Sequence, residues 1–284
     1  MARTELAAFQ GERGAFSEEA ARRLLGAEVR VNPCPSFQEV FRSLVEKRVT
    51  AAVIPIENTL HGSVHENYDH LLDNDLIITG ETFVRIVHNL IAAPGVSFAK
   101  VREVYSHPVA LNQCLKFFAE HPRVEKKPFY DTAGSVKMVM AEGLRDAAGI
   151  ASASCAEIYG AKILKRSIED DRQNYTRFFL LRRPDQVSKQ IRNKAPDASV
   201  NWKTSLVFNT KNEPGSLFRC MSAFALRDLS LAKIESRPLK GKPWEYLFYL
   251  DFYGHPEQDR AHNALRHLAE VADYRVLGSY AAAS

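Results

Sequence analysis

Asn174-Tyr175-Thr176-Arg177-Phe178 sets a hydroxyl beside a guanidinium just ahead of an apolar run. Residues 167–173 are polar and read as a flexible lead-in, and residues 178–181 read as a short buried strand. The two groups would then stand at the mouth of a strand, where open α/β sheets place their ligands. The plainer alternative is a strand-entry threonine next to a surface cation. A second pattern bears on that choice. Helix starts at Ser17, Ser63, Pro108 and Thr132 each follow a strand and a loop. In a sheet protein such ends converge on one crevice, and their free N–H groups favour anions. The chemistry these residue types offer is therefore anion binding; the alternative is caps that serve only their own helices.

The elements that must position these groups follow from periodicity. Residues 6–9 form a short strand, residues 11–16 a loop, and Ser17 caps a helix with Glu18 and Glu19 in its first turn and Gly26 past its end. Ser36-Phe37-Gln38-Glu39 is a capping box. Residues 51–56 are a buried strand, Glu57-Asn58-Thr59 a loop, and Ser63-Val64-His65-Glu66 a second capping box for a helix reaching Asp73. A long strand region covers 76–92. The alternation then resumes with strands near 101–105, 127–130 and 147–151, and helices after Pro108, Thr132 and Ser152. This predicts two α/β lobes, with residues 178–181 returning to the first. Residues 184–203 are polar, hold Pro184 and Pro196, and read as a linker. Beyond it come strands at 205–210, 229–234, 244–252 and 274–280, with helices at 214–226 and 256–272. That βαββαβ order is the ferredoxin-like pattern.

Composition bounds the function. The chain of 284 residues, 45% hydrophobic and 25% charged, has room for two domains. Its net charge of +4 comes from basic residues interleaved with acidic ones, which leaves no nucleic-acid footprint. Cys34, Cys114, Cys155 and Cys220 lie far apart and read as reduced, buried thiols of a cytoplasmic protein. No signal peptide or membrane span is expected. The nine histidines form no ligand motif, so no metal is expected.

Taken in order, several motifs resemble the prephenate dehydratase family over nearly the whole chain. They are residues 11–17, Pro55-Ile56-Glu57-Asn58, Gly62-Ser63-Val64, Ser106-His107-Pro108, Ala110-Leu111-Asn112-Gln113-Cys114, Asn174 with Thr176-Arg177-Phe178, and Glu235-Ser236-Arg237-Pro238. The resemblance implies a catalytic domain over 1–183, two-lobed like type 2 periplasmic binding proteins, and an ACT regulatory domain over 204–284. It also implies a homodimer or homotetramer that binds L-phenylalanine. There are departures: Glu12 and Ala15 stand where the family usually has proline and threonine, Thr59 replaces serine, and Ser216 replaces alanine in the ACT motif. With no chorismate mutase segment ahead of the catalytic domain, a monofunctional enzyme is expected.

The implied substrate, prephenate, carries two carboxylates and a ring hydroxyl. Loss of water and carbon dioxide gives phenylpyruvate, and aromatisation drives the reaction. The protein must hold the dianion and help the hydroxyl leave. The resemblance makes Thr176 the catalytic hydroxyl. Arg177 is expected to fork onto the side-chain carboxylate, since a tight pair with the ring carboxylate would hold charge that has to leave it. Asn58, Thr59, Ser106 and Thr132 are candidate orienting donors. His107 is a candidate for titration near neutrality, or else a loop histidine. Asn174 and Phe178 are expected to position the substrate, Phe178 mainly through packing that fixes its neighbours. Glu57 anchors its loop rather than acting as a base, and the implied chemistry needs no organic cofactor. The effector pocket is expected from Asn212, Pro214, Gly215, Ser216 and Leu217, together with Glu235, Ser236 and Arg237 after the next strand. Two rivals remain at this level: arogenate dehydratase, which acts on the amino analogue, and a non-catalytic small-anion binding protein.

Overall fold

A computed structural model describes residues 5–187, 197, 199–239 and 245–283. The chain divides into two compact units, one of residues 1–72 and 82–179, the other of residues 73–81 and 180–284.

The first unit holds two lobes, each built on a sheet. In the first lobe β1 (Leu6–Gln10) lies between β2 (Arg30–Cys34) and β3 (Ala51–Asn58), all parallel. Helices α1 (Phe16–Leu25), α2 (Phe37–Val45) and α3 (His65–Asp73) connect or follow these strands, and β4 (Gly62–Ser63) forms a hairpin with β3. Ala51 to Ile54 are all buried, as expected of a parallel strand covered on both faces. The sheet is extended beyond β3 by a later strand and by β5 (Ile77–Arg85), both of which cross the unit boundary.

The second lobe is a mixed sheet of β6 (Asn89–Ala92), β7 (Glu103–Ser106), β8 (Glu125–Pro128), β9 (Ala147–Ala151) and β10 (Lys162–Lys165), in the order β10-β6-β9-β7-β8. Its helices are α4 (Pro108–Asn112), α5 (Leu115–Glu120), α6 (Thr132–Ala141) and α7 (Ser154–Ile158). Leu90, Val104, Leu111, Phe117 and Ile150 are its core, each worth about 1.5–3 kcal/mol of burial. The chain returns to the first sheet as β11 (Tyr175–Arg182), between β3 and β5.

The second unit contains a four-stranded antiparallel sheet, ordered β13-β14-β12-β15, made of β12 (Trp202–Asn209), β13 (Leu231–Pro238), β14 (Tyr246–Tyr253) and β15 (Asp273–Ala281). With α8 (Ser216–Ala225) and α9 (Asp259–Val271) the order is βαββαβ. Leu206, Phe208, Phe224, Phe252 and Leu268 form its core. On the sheet, a fully buried Glu81 carboxylate accepts from Lys203 Nζ at 2.6 Å and from the Ala283 N–H at 3.0 Å.

Several local expectations need correction. Ser17 does not cap α1. Ala15 is the N-cap residue, and the Glu18 carboxylate folds back onto the Gly14 N–H at 2.8 Å. Glu57 and Asn58 belong to β3, not to a loop, because β4 pairs with them, and Ser63 is thereby drawn into a strand ahead of α3. The 76–92 region breaks at residues 86–88. Strand β8 sits two residues earlier than predicted, α7 and α9 begin later, and β10 was not foreseen. Residues 167–173 are no flexible lead-in. The buried Glu169 accepts from Arg85 and from the His88 N–H, and the Asp170 carboxylate accepts the Leu115 and Lys116 N–H groups at the start of α5. Strand β12 begins at Trp202, inside the expected linker, and Glu235 to Arg237 lie within β13 instead of after it. Residues 188–196 and 198 of the linker and Trp244 lie outside the described residues.

Candidate active site

Strands β3 and β11 are neighbours, and their ends bring Asn58 to Thr176. Asn58 Nδ2 donates to Asn174 Oδ1 at 2.8 Å, to Tyr175 O at 3.1 Å and to Thr176 Oγ1 at 2.9 Å. Its Oδ1 accepts the Leu60 and His61 N–H groups, which fixes which end of the amide points where. An amide nitrogen only donates, so Thr176 Oγ1 is the acceptor and keeps its own proton for another partner. Thr59 clips the same two segments together, donating to Gln173 O and accepting from the Tyr175 N–H.

These residues edge a cavity of about 290 Å³ between the two lobes of the first unit. Thr176 and Phe178 line it, whereas Arg177 does not. Side chains alternate along a strand, and Arg177 shares the opposite face with Phe179, its guanidinium 4.7 Å from that ring. The side chain is only 5% exposed. The expected fork onto a substrate carboxylate therefore has no support in the geometry. Ser106 is corrected in the same way: it is fully buried and donates to Ile150 O at 2.7 Å, joining β7 to β9. Thr59, Asn174 and Glu57 lie outside the lining; Asn174 accepts from Asn58, and Thr59 ties its strand end to residues 173 and 175. Asn58, His107 and Thr132 do line the cavity.

Helix starts converge here as the loop pattern implied. Ser17 on α1, Val64 ahead of α3, Thr132 on α6 and His107 at the head of α4 all line the cavity. His107 is the N-cap of α4; its Nδ1 accepts the Val109 N–H at 3.2 Å, so a neutral ring carries its proton on Nε2. Burial lowers the His107 pKa, opposed by the nearby Asp131 carboxylate. Asp131 caps α6 by accepting the Gly134 N–H at 2.7 Å and reaches the Glu12 N–H at 3.3 Å. Burial raises its pKa, and these N–H bonds act against the rise. Gly11, at a φ of +111°, passes so near Asp131 that a Cβ there would sit 3.0 Å from Oδ1.

Sequence reasoning missed His61, His88 and Asp131, and gave Gln113 no role, although all four line the cavity. His88 is buried and its Nε2 meets Gln113 Oε1 at 2.8 Å; burial lowers its pKa. Only the quoted motif around Gln113 signalled any of them. Among the described residues, no lysine or arginine lines the cavity. No group of three His, Cys, Asp or Glu is placed to hold a metal ion among them either.

The segments expected to hold the effector are both on the second unit. Gly215 is the N-cap of α8 at a φ of +80°, Ser216 is buried at the helix start, and Leu217 is exposed. Asn212 lines a concavity of about 600 Å³ with Glu213 and the end of α9, whereas Pro214, Gly215 and Leu217 do not. Arg237 and Asn209 both stand opposite Leu247, on either side of β14. Within one chain β14 thus separates Arg237 from Asn209, the last residue of β12, by roughly two strand spacings, ~10 Å, and the 212–217 segment starts beyond that strand end.

Comparison with known proteins agrees with this architecture. The sequence profile of the prephenate dehydratase family matches residues 7–186. Arogenate dehydratase/prephenate dehydratase 2, chloroplastic, of Arabidopsis thaliana is 42% identical over 283 residues, spanning 96% of this chain and 72% of the relative. A solved prephenate dehydratase in complex with L-Phe from Arthrobacter aurescens superposes with a TM-score of 0.87 at 30% identity, covering 98% of this chain and 90% of that one. A structure described as GqqA, a novel type of quorum quenching acylase, gives 0.88 at 31% identity, with 98% of both chains covered. A two-lobed α/β unit, a βαββαβ unit and these likenesses lead to one conclusion: the chain belongs to the prephenate dehydratase family.

Proposed function

We propose that this chain catalyses the decarboxylating dehydration of prephenate to phenylpyruvate, or of its amino analogue arogenate to phenylalanine, with Thr176 as donor to the departing hydroxyl. One observation carries the assignment of Thr176. Asn58 occupies the Thr176 oxygen as an acceptor, which leaves the hydroxyl proton free in a cavity ringed by helix starts. As the ring carboxylate departs as carbon dioxide, its bonding pair moves into the ring and expels hydroxide, which leaves as water after taking up a proton. A donor fixed on the departing oxygen stabilises the charge that develops there. N–H groups at the starts of α1, α3 and α6 offer hydrogen bonds to the carboxylates. The lining side chains Phe16, Ile86 and Phe178 give the ring an apolar wall. An acylase reading, suggested by the GqqA neighbour, is less well supported. The Thr176 hydroxyl is paired with an amide, and among the described residues no basic side chain is hydrogen-bonded to it to make it a nucleophile.

L-Phenylalanine is proposed as the allosteric effector, bound at 212–217 and at Glu235 to Arg237. Strand β14 lies between Glu235 to Arg237 and the end of β12, from which the 212–217 segment starts, and a second copy in a homodimer or homotetramer is proposed to complete the pocket. The edge position of β13 and the exposed Phe218 and Ile234 favour such pairing. The domains are proposed as a catalytic part ending near Arg183 and a regulatory part from Trp202. Four free, buried cysteines suit a reducing compartment, for which we propose the cytoplasm; the Arabidopsis relative is named as chloroplastic. Among the described residues no helix is long and apolar enough to cross a membrane. The deciding experiment supplies purified protein with prephenate and with arogenate and follows phenylpyruvate and phenylalanine. Formation of either product from its substrate is expected, and no consumption of either substrate would refute the assignment.

A further inference from the structure

The cavity has an unusual charge inventory for the substrate proposed above, and this inference rests on that reading. Prephenate brings two negative charges. The lining already contains the Asp131 carboxylate, and no lysine or arginine lines it among the described residues. The titratable cations available there are His61, His88 and His107. His88 is 2% exposed and engages Gln113 through Nε2, and its burial opposes the charged form. His61 is an exposed residue, and His107 keeps solvent access although enough protein surrounds its ring to disfavour the charge. They come from different lobes: His61 follows β3 with its N–H held by Asn58 Oδ1, and His107 heads α4. Desolvation by the surrounding protein is the main influence lowering the His107 pKa, His61 adds to it, and the Asp131 carboxylate opposes both. Val109 occupies Nδ1 of His107, so its Nε2–H is the group left to meet a ligand.

We propose that His61 and His107 form a proton-loaded clamp, one ring from each lobe, for a carboxylate of the substrate. Binding of the keto dianion then takes up a proton at this pair, because two carboxylates beside Asp131 favour imidazolium over imidazole. The amino analogue carries its own ammonium, so it enters with one negative charge fewer and needs no such uptake. The pair thereby makes the choice between keto and amino substrates depend on pH. His61 becomes a specificity-determining residue, and His107 acquires a role separate from its helix cap.

The test measures kcat/KM for prephenate and for arogenate between pH 6.5 and 8.5. In the wild-type protein the prephenate-to-arogenate ratio should fall towards tenfold per pH unit, the dependence of a single required proton. A His61→Gln, His107→Asn double variant removes both imidazoles while asparagine keeps an N-cap acceptor. Its ratio should vary less than about twofold per unit. A flat wild-type ratio, or an unchanged slope in the double variant, would overturn the clamp while turnover itself leaves the dehydratase reading standing. Failure to consume either compound would overturn both. The wild-type ratio is decisive on its own if the double variant does not fold.

Discussion

Asn58 shares one amide group among three acceptors, and the direction of the Thr176 hydroxyl depends on it. Thr176→Ala should lower kcat by about 10²-fold or more with a much smaller change in KM, as for a lost donor to the leaving group. Asn58→Asp is the sharper test. A carboxylate only accepts, so the Thr176 proton would turn towards it and away from the substrate. A kcat loss of about the same size is expected, although the threonine is intact. Combining the two changes should add little, because both remove one interaction. Additive losses in steady-state kinetics would separate Asn58 from the hydroxyl. Arg177→Lys now carries a different expectation from the one its sequence position suggested. The guanidinium lies buried over Phe179, so KM should stay within about twofold while unfolding stability drops by roughly 1–2 kcal/mol. A raised KM with unchanged stability would return Arg177 to the substrate.

At the scale of elements, the glycine loop before α1 is set by the opposite lobe. Gly14 has a φ of +88°, and a Cβ there would lie 2.7 Å from Cys155 Sγ; its carbonyl accepts from Ser152 Oγ at 2.6 Å. Gly14→Ala should therefore destabilise by about 1–3 kcal/mol, measured by urea unfolding, with kcat reduced as the loop shifts. Unchanged stability would mean that the loop relaxes freely. The same elements explain what could be read in advance. Strands such as β9 and helices such as α2, with Ser36 Oγ accepting the Glu39 N–H, are local patterns, and they were legible. Strand β10 was missed because Lys162–Lys165 has no period-two contrast; its place follows from pairing with β6. Residues 167–173 look like a loop by composition, and their order comes from partners such as Arg85, 84 positions from Glu169. Arg177 was misplaced because β11 starts at Tyr175, which assigns the two faces by alternation. His61, His88 and Asp131 were missed because their common cavity is a tertiary fact, with no spacing in the chain to announce it.

At the scale of the whole molecule, regulation is the property that a single chain supports least. The end of β12, which leads into the 212–217 segment, and Glu235 to Arg237 flank β14 from opposite sides, so a strand lies between the two roots of the proposed pocket. Strand β13 is the last of its sheet on that side, and Ile234 upon it is 45% exposed; Phe218 on α8 is 76% exposed. Apolar side chains along an unpaired edge are the usual material of an interface between copies. The expected outcome in sedimentation is a dimer or a larger assembly. Ile234→Lys with Phe218→Ser should shift the assembly towards monomer and weaken L-phenylalanine binding by tenfold or more, since half of the pocket is then missing. Turnover should persist, because the cavity of Thr176 and Asn58 is complete within one chain. Inhibition requires the effector to prefer one conformational state, so loss of binding must abolish inhibition as well. A monomeric double variant that binds L-phenylalanine as tightly as the wild type in calorimetry would place the whole effector site within one chain and refute the shared pocket.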